Sequence, residues 1–125
     1  MKNRILMFAL LSFVCLPLLG QSGGRHLDFT KQLLGVDGVP LQNGDAHPQV
    51  PLTLGDAAVM ALETQAQNET LTGLEKFKLD ALARKIYKQK DVALTMDEIV
   101  TIKDRIGKIE PAIVVGASWS LLDPQ

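Results

Sequence analysis

Three times between residues 53 and 98 a threonine stands three positions before an acid: Thr53-Leu54-Gly55-Asp56, Thr72-Gly73-Leu74-Glu75 and Thr95-Met96-Asp97-Glu98. Each opens a run whose apolar residues recur at helical spacing. In such a box the threonine oxygen accepts from an otherwise unpaired N–H of the first turn. The acid can bond back to the capping residue's N–H, glutamate reaching better than aspartate. Either acid also suits the positive end of the helix dipole. Three boxes before three periodic runs commit the chain to helices from Thr53 onward.

The runs place helices at about 54–67, 73–88 and 96–108. Their expected buried stripes are Leu54, Ala57, Ala58, Ala61 and Leu62; Leu74, Phe77, Ala81, Leu82 and Ile86; and Ile99, Ile102, Ile106 and Ile109. A fourth helix begins at Pro111, where a missing N–H costs nothing. Residues 112–122 are apolar almost all round, the pattern of a helix buried between other elements. Gly116 and Ala117 allow tight crossing there. Trp119, the one tryptophan, is expected in the core or at a self-association surface. Aromatic residues are only 5%, so the core must be aliphatic, which suits packed helices better than a β-sandwich.

Ahead of the helices, residues 27–42 read as a β-hairpin. Val36-Asp37-Gly38-Val39 supplies the turn, since glycine accepts positive φ without cost. Pro40 lacks an N–H and keeps the returning arm short or at an edge. Residues 43–51 carry no periodic pattern and read as a loop. The expected fold is therefore mainly α: a small helical bundle of about four helices preceded by a short β-hairpin. The division is a leader at 1–22, hairpin and loop at 23–52, and a helical domain at 53–125.

The leader has Lys2 and Arg4, then an almost wholly apolar stretch from Ile5 to Leu19, then Gly20-Gln21-Ser22. Basic start, apolar middle and small polar end match a secretory signal peptide, with cleavage expected after Ser22. The apolar run falls short of the roughly 20 residues that span a bilayer as a helix. Stable membrane insertion is not expected once the leader is removed. Cys15, the single cysteine, lies inside this segment, so the rest of the chain has no disulfide or thiolate metal site.

No catalytic constellation is legible, so an enzyme is not expected, nor a cofactor. His26 lies at the start of the domain and His47 in the loop before Pro48, without companions at metal-ligand spacing. Asp97 and Glu98 are adjacent on a helix and do not face each other, which makes a poor acid–base dyad. The connection from Lys88 to Ile99 lacks the alternating acids and central glycine of a calcium loop. Asn68-Glu69-Thr70 is a glycosylation sequon, relevant only in a eukaryotic secretory pathway.

Charge is the one uneven feature. Residues 76–108 hold nine basic residues against five acids, within a chain of formal net charge -1. Lys78, Arg84, Lys85, Lys88, Arg105 and Lys108 are the candidate basic face for a nucleic acid or an acidic partner. The competing reading is a solvated face with local i,i+4 pairs such as Asp80 with Arg84 and Asp104 with Lys108.

Asp28-Phe29-Thr30, Leu52-Thr53-Leu54-Gly55, Ile99 through Lys108 and Pro111 through Asp123 together carry a resemblance. The chain is similar over most of residues 27–123 to a group of short, uncharacterised proteins of tailed bacteriophages and prophages. That resemblance transfers no activity and no functional residue. It implies a cytoplasmic protein starting near Leu27, whereas the leader implies export to a periplasmic or extracellular site. The expected function is a non-enzymatic protein-interaction module with an unidentified protein partner. A nucleic-acid-binding accessory protein and an exported envelope-associated protein are the rivals, and oligomeric state is left open.

Overall fold

The computed structural model describes residues 24–44 and 47–123; the leader lies outside the described residues. The elements are β1 (Arg25–Leu27), α1 (Leu54–Glu63), α2 (Gly73–Ile86), β2 (Val92–Leu94), α3 (Met96–Ile109) and α4 (Ala112–Leu122). Four helices and a small antiparallel β component make the mainly α bundle that the sequence implies.

All three Thr-x-x-acid segments are complete capping boxes. Thr53, Thr72 and Thr95 each accept from the N–H three residues on, and Asp56, Glu75 and Glu98 each accept the capping N–H in return. Asp56 manages this despite its shorter reach, with Oδ2 3.0 Å from the Thr53 nitrogen. Helix α1 stops at Glu63, four residues before the expected end, because Thr64 leaves helical geometry. Helix α4 has Pro111 as its N-cap, with no side-chain cap bond.

The segment before α1 folds back twice on itself. Gly35 donates to the Val39 carbonyl at 2.8 Å and Leu41 to that of Leu33 at 2.8 Å, closing the expected turn. Gly38 sits there at φ 76°. Asn43 then donates to Val50 and Leu52 to Leu41, so the segment expected as a loop is closed by a second pairing. Isolated bridges Gln32–Thr53, Leu34–Pro40 and Gln42–Pro51 mark the ladder. Pro40 and Pro51 have no N–H to extend it.

The regular sheet is elsewhere. β1 pairs antiparallel with β2, Arg25 opposite Leu94 and Leu27 opposite Val92. By pattern alone Val92–Leu94 falls in the connection between helices. This pairing ties the start of the domain to the α2–α3 connection.

Helix α1 is the hub. Leu54, Gly55, Ala57, Ala58, Ala61 and Leu62 are all buried, and α2, α3 and α4 all contact it, α2 and α3 most closely. Phe29 and Leu33 reach the same core from the N-terminal segment. Alanine and glycine let these neighbours approach closely. Gly55 N–H donates to the Phe29 carbonyl at 2.8 Å. A Cβ on Gly55 would lie 2.8 Å from that same oxygen. α3 covers α1 with Ile99, Ile102 and Ile106, as its pattern implies.

Two helices depart from expectation. On α2 the buried residues are Leu82, Ala83 and Ile86, while Leu74 is 63% and Phe77 70% exposed. Ala81 is exposed as well. α4 buries only Val114, Ser118 and Leu122, and leaves Ile113, Gly116 and Trp119 exposed. It packs chiefly on α3, so one side has no cover among the described residues.

Two glycine-to-alanine substitutions separate close packing from propensity. Gly55→Ala must push Phe29 away and should lower the melting temperature. Gly116→Ala meets nothing within 4 Å and should raise stability by up to about 1 kcal/mol. Thermal unfolding of both variants checks this; equal effects would contradict the packing.

Candidate protein-interaction groove between α2 and α3

The groove is a consequence of the hub. α2 and α3 both rest on α1 but pack little on each other, so a trough of about 660 Å³ opens between them. Near the start of α3, Lys85 Nζ spans it to Glu98 at 2.9 Å. At the other end Glu69, in the α1–α2 connection, binds Arg105 and lies 3.8 Å from Lys108. Lys85 lies in the last turn of α2 and Glu98 in the first turn of α3.

Arg105 fixes the lower end. It is 5% exposed. Its Nε donates to the Ala61 carbonyl at 3.2 Å, and its two terminal nitrogens bond the Thr64 carbonyl and the Glu69 carboxylate. The planar fork thus satisfies the frayed end of α1 and holds the following connection against α3. Glu69 also caps its own turn by accepting from the Ala66 N–H at 2.9 Å. The Ala66 N–H first, then Arg105, hold the Glu69 carboxyl below its ordinary value of 4.5. Burial pushes Glu98 up, but bonds from Lys85 and Thr95 outweigh it and leave Glu98 lowered too.

The α2 wall presents Glu75, Phe77, Lys78, Ala81 and Leu82; the α3 wall presents Asp97, Thr101, Asp104 and Lys108. Asp97, Thr101 and Asp104 are spaced four and three apart and share one stripe. Phe77 and Leu74 are the largest exposed apolar groups on α2, and their helix is already anchored by its other face. Sequence reasoning assigned both to the core. The signal it missed is that α2 has two apolar stripes, one through Leu74, Phe77 and Ala81 and one through Leu79, Leu82, Ala83 and Ile86.

The six candidate cations do not make one face. Lys78, Lys85 and Lys108 line the trough. Arg105 also lines it but is buried and bonded within the fold, so it is withdrawn from any such surface. Arg84 pairs with Asp80 at 2.7 Å, beside Glu63. Lys88 projects toward a separate depression near Met60 and stacks on Tyr87, 5.2 Å from the ring centre. Trp119 is 38% exposed, its indole N–H donating to the Lys103 carbonyl at 3.2 Å. His26 pairs with Asp91 at 2.7 Å. Among the described residues no three His, Cys, Asp or Glu groups gather as a metal site, and no helix is long and apolar enough to cross a membrane.

Arg105→Ala leaves two carbonyls of the α1 end unmet, at a cost of roughly 1–3 kcal/mol, and should loosen residues 64–69 in amide exchange before the rest of the fold. Acidification should act at both ends of the trough. Carboxyls lowered in the folded state, Glu69 and Glu98, contribute stability above 4.5 that is lost as pH falls through their folded values. A melting temperature that drops below pH 4.5, and drops less in Glu69→Gln, is the expected result. No protein-family model, curated protein or solved structure matches the chain, which leaves the groove's own chemistry as the ground for a functional reading.

Proposed function

We propose that the chain is a non-catalytic protein-interaction module, of phage or prophage origin as its resemblance implies, which receives a partner in the α2–α3 trough. The observation that carries this is the exposed pair Leu74 and Phe77 beside the trough, on a helix whose opposite face is already anchored in the core. Contiguous apolar surface of this kind marks a site of association, and aromatic anchors at a concave surface supply much of the energy in such contacts. Rigid walls favour the reading as well, because the capping boxes at Thr72 and Thr95 and the Arg105 network fix both helices before any partner arrives.

Nucleic-acid binding has less support. A phosphate-tracking surface needs unpaired cations along one face, and Arg84, Lys85 and Arg105 are each paired with a carboxylate. Use of the leader would place the module outside the cytoplasm, and a start near Leu27 would keep it inside.

A photo-crosslinking residue at position 81, in the cells that encode the protein, tests the proposal. One discrete protein adduct is expected, lost in Phe77→Asp. That substitution is exposed and should move stability by no more than about 0.5 kcal/mol. Absence of a protein adduct, or adducts only with nucleic acid, would overturn the proposal.

A further inference from the structure

We infer that the uncovered face shared by α3 and α4 is the seat of the chain's own apolar leader, residues 5–19, for as long as that leader stays attached. This face is separate from the trough. Met96, Val100, Lys103 and Gly107 are spaced four, three and four apart, so they share one stripe of α3. Met96 and Val100 are half exposed. Trp119 of α4 lies across the same stripe. Its indole N–H donates to the Lys103 carbonyl, and a Cβ on Gly107 would stand 3.2 Å from its ring. Lys103 is neutralised within the fold, because its ammonium bonds Asp123 and sits 4.8 Å from the centre of the Trp119 ring.

The leader joins the domain at the edge of this face. β1 begins with Arg25 opposite Leu94, so the same register sets Gly24 beside Thr95, next to Met96. Arg25 also bonds the Leu122 carbonyl at the end of α4. The entry point therefore lies between the start of α3 and the end of α4. Residues 20–24, Gly-Gln-Ser-Gly-Gly, can span up to about 17 Å, enough for the chain to turn back. The apolar run of about 15 residues matches the 14 residues of α3 in length. Returning from Met96, it lies antiparallel to α3 and brings Lys2 and Arg4 to the far end of that helix. Glu110 caps that end and forms no salt bridge among the described residues. The negative end of the helix dipole adds to its attraction for cations.

Tethering decides between this occupant and others. A short flexible linker presents its cargo at a local concentration on the order of 1 mM, which a free partner or a second copy would have to match. The run carries no charge between Arg4 and Arg25, so it brings no ion into the contact. Around the face stand Asp97, Asp104, Glu110 and Asp123 against Arg25, Lys103 and Lys108. That balance does not attract an anionic lipid surface. Cleavage after Ser22 would remove the occupant and uncover the face, so the contact belongs to the uncleaved chain.

Cell-free synthesis without membranes keeps the leader attached and supplies the full chain for the test. A photoreactive residue in place of Val100 should crosslink to residues 5–19 of the same chain, as read by mass spectrometry on the monomer. Leu10→Asp combined with Leu11→Asp puts charge into the run. Met96 and Trp119 should then oxidise severalfold faster under hydroxyl radicals, while Phe29 in the core stays protected. Equal oxidation with and without the two substitutions would overturn the proposal, as would the absence of any adduct from position 100. An adduct from position 100 that joins two chains would overturn it in favour of a second copy. An internal adduct from position 81 with none from position 100 would overturn it by seating the leader in the trough.

Discussion

The rest of the molecule depends on the thinness of α1. Its inward face is Ala57, Ala58 and Ala61 between Leu54 and Leu62, with Gly55 at the first turn. A helix with such small side chains can be approached closely from several directions. Phe29 uses that access at Gly55, Leu82 and Ile86 use it from α2, and the isoleucines of α3 use it from the other flank. With few aromatics available, close approach to a small-residue hub is how this chain reaches interior packing density.

Two walls attached to one narrow hub need not touch each other. α2 and α3 lean on α1 and separate above it, and the pairs Lys85–Glu98 and Arg105–Glu69 close the two ends of the gap. Apolar area thus remains on α2 without weakening the fold, because the anchoring stripe of that helix is a different one. Both walls carry charges of both signs, Glu75 and Lys78 on α2 and Asp97, Asp104 and Lys108 on α3. Shape and exposed apolar area both trace back to the same hub.

Much of this fold is legible in the sequence wherever the cause is local. A capping box needs four consecutive residues, so Thr53, Thr72 and Thr95 announce their helices, and the Asp37-Gly38 turn announces the hairpin. Buried stripes are legible on α1 and α3, where one face alone is apolar. Helix α2 misleads because it carries two such faces, and local periodicity does not say which one meets α1. Val92–Leu94 is hidden for another reason: three residues form a strand only because Arg25–Leu27 lies beside them. Arg105 reads as one more surface cation until the end of α1 and Glu69 are placed around it. The candidate site was therefore the least legible part, since it is made by what the helices fail to cover.

The central claim is that α2 turns Leu74 and Phe77 outward and Leu82 and Ile86 inward. Hydroxyl-radical footprinting of the native protein, read residue by residue by mass spectrometry, tests it directly. Phe77 should be modified at a rate near that of an unfolded chain, while Phe29, at 1% exposure, stays protected. Equal protection of the two phenylalanines would mean that α2 is rotated with Phe77 in the core, and the trough described here would not exist.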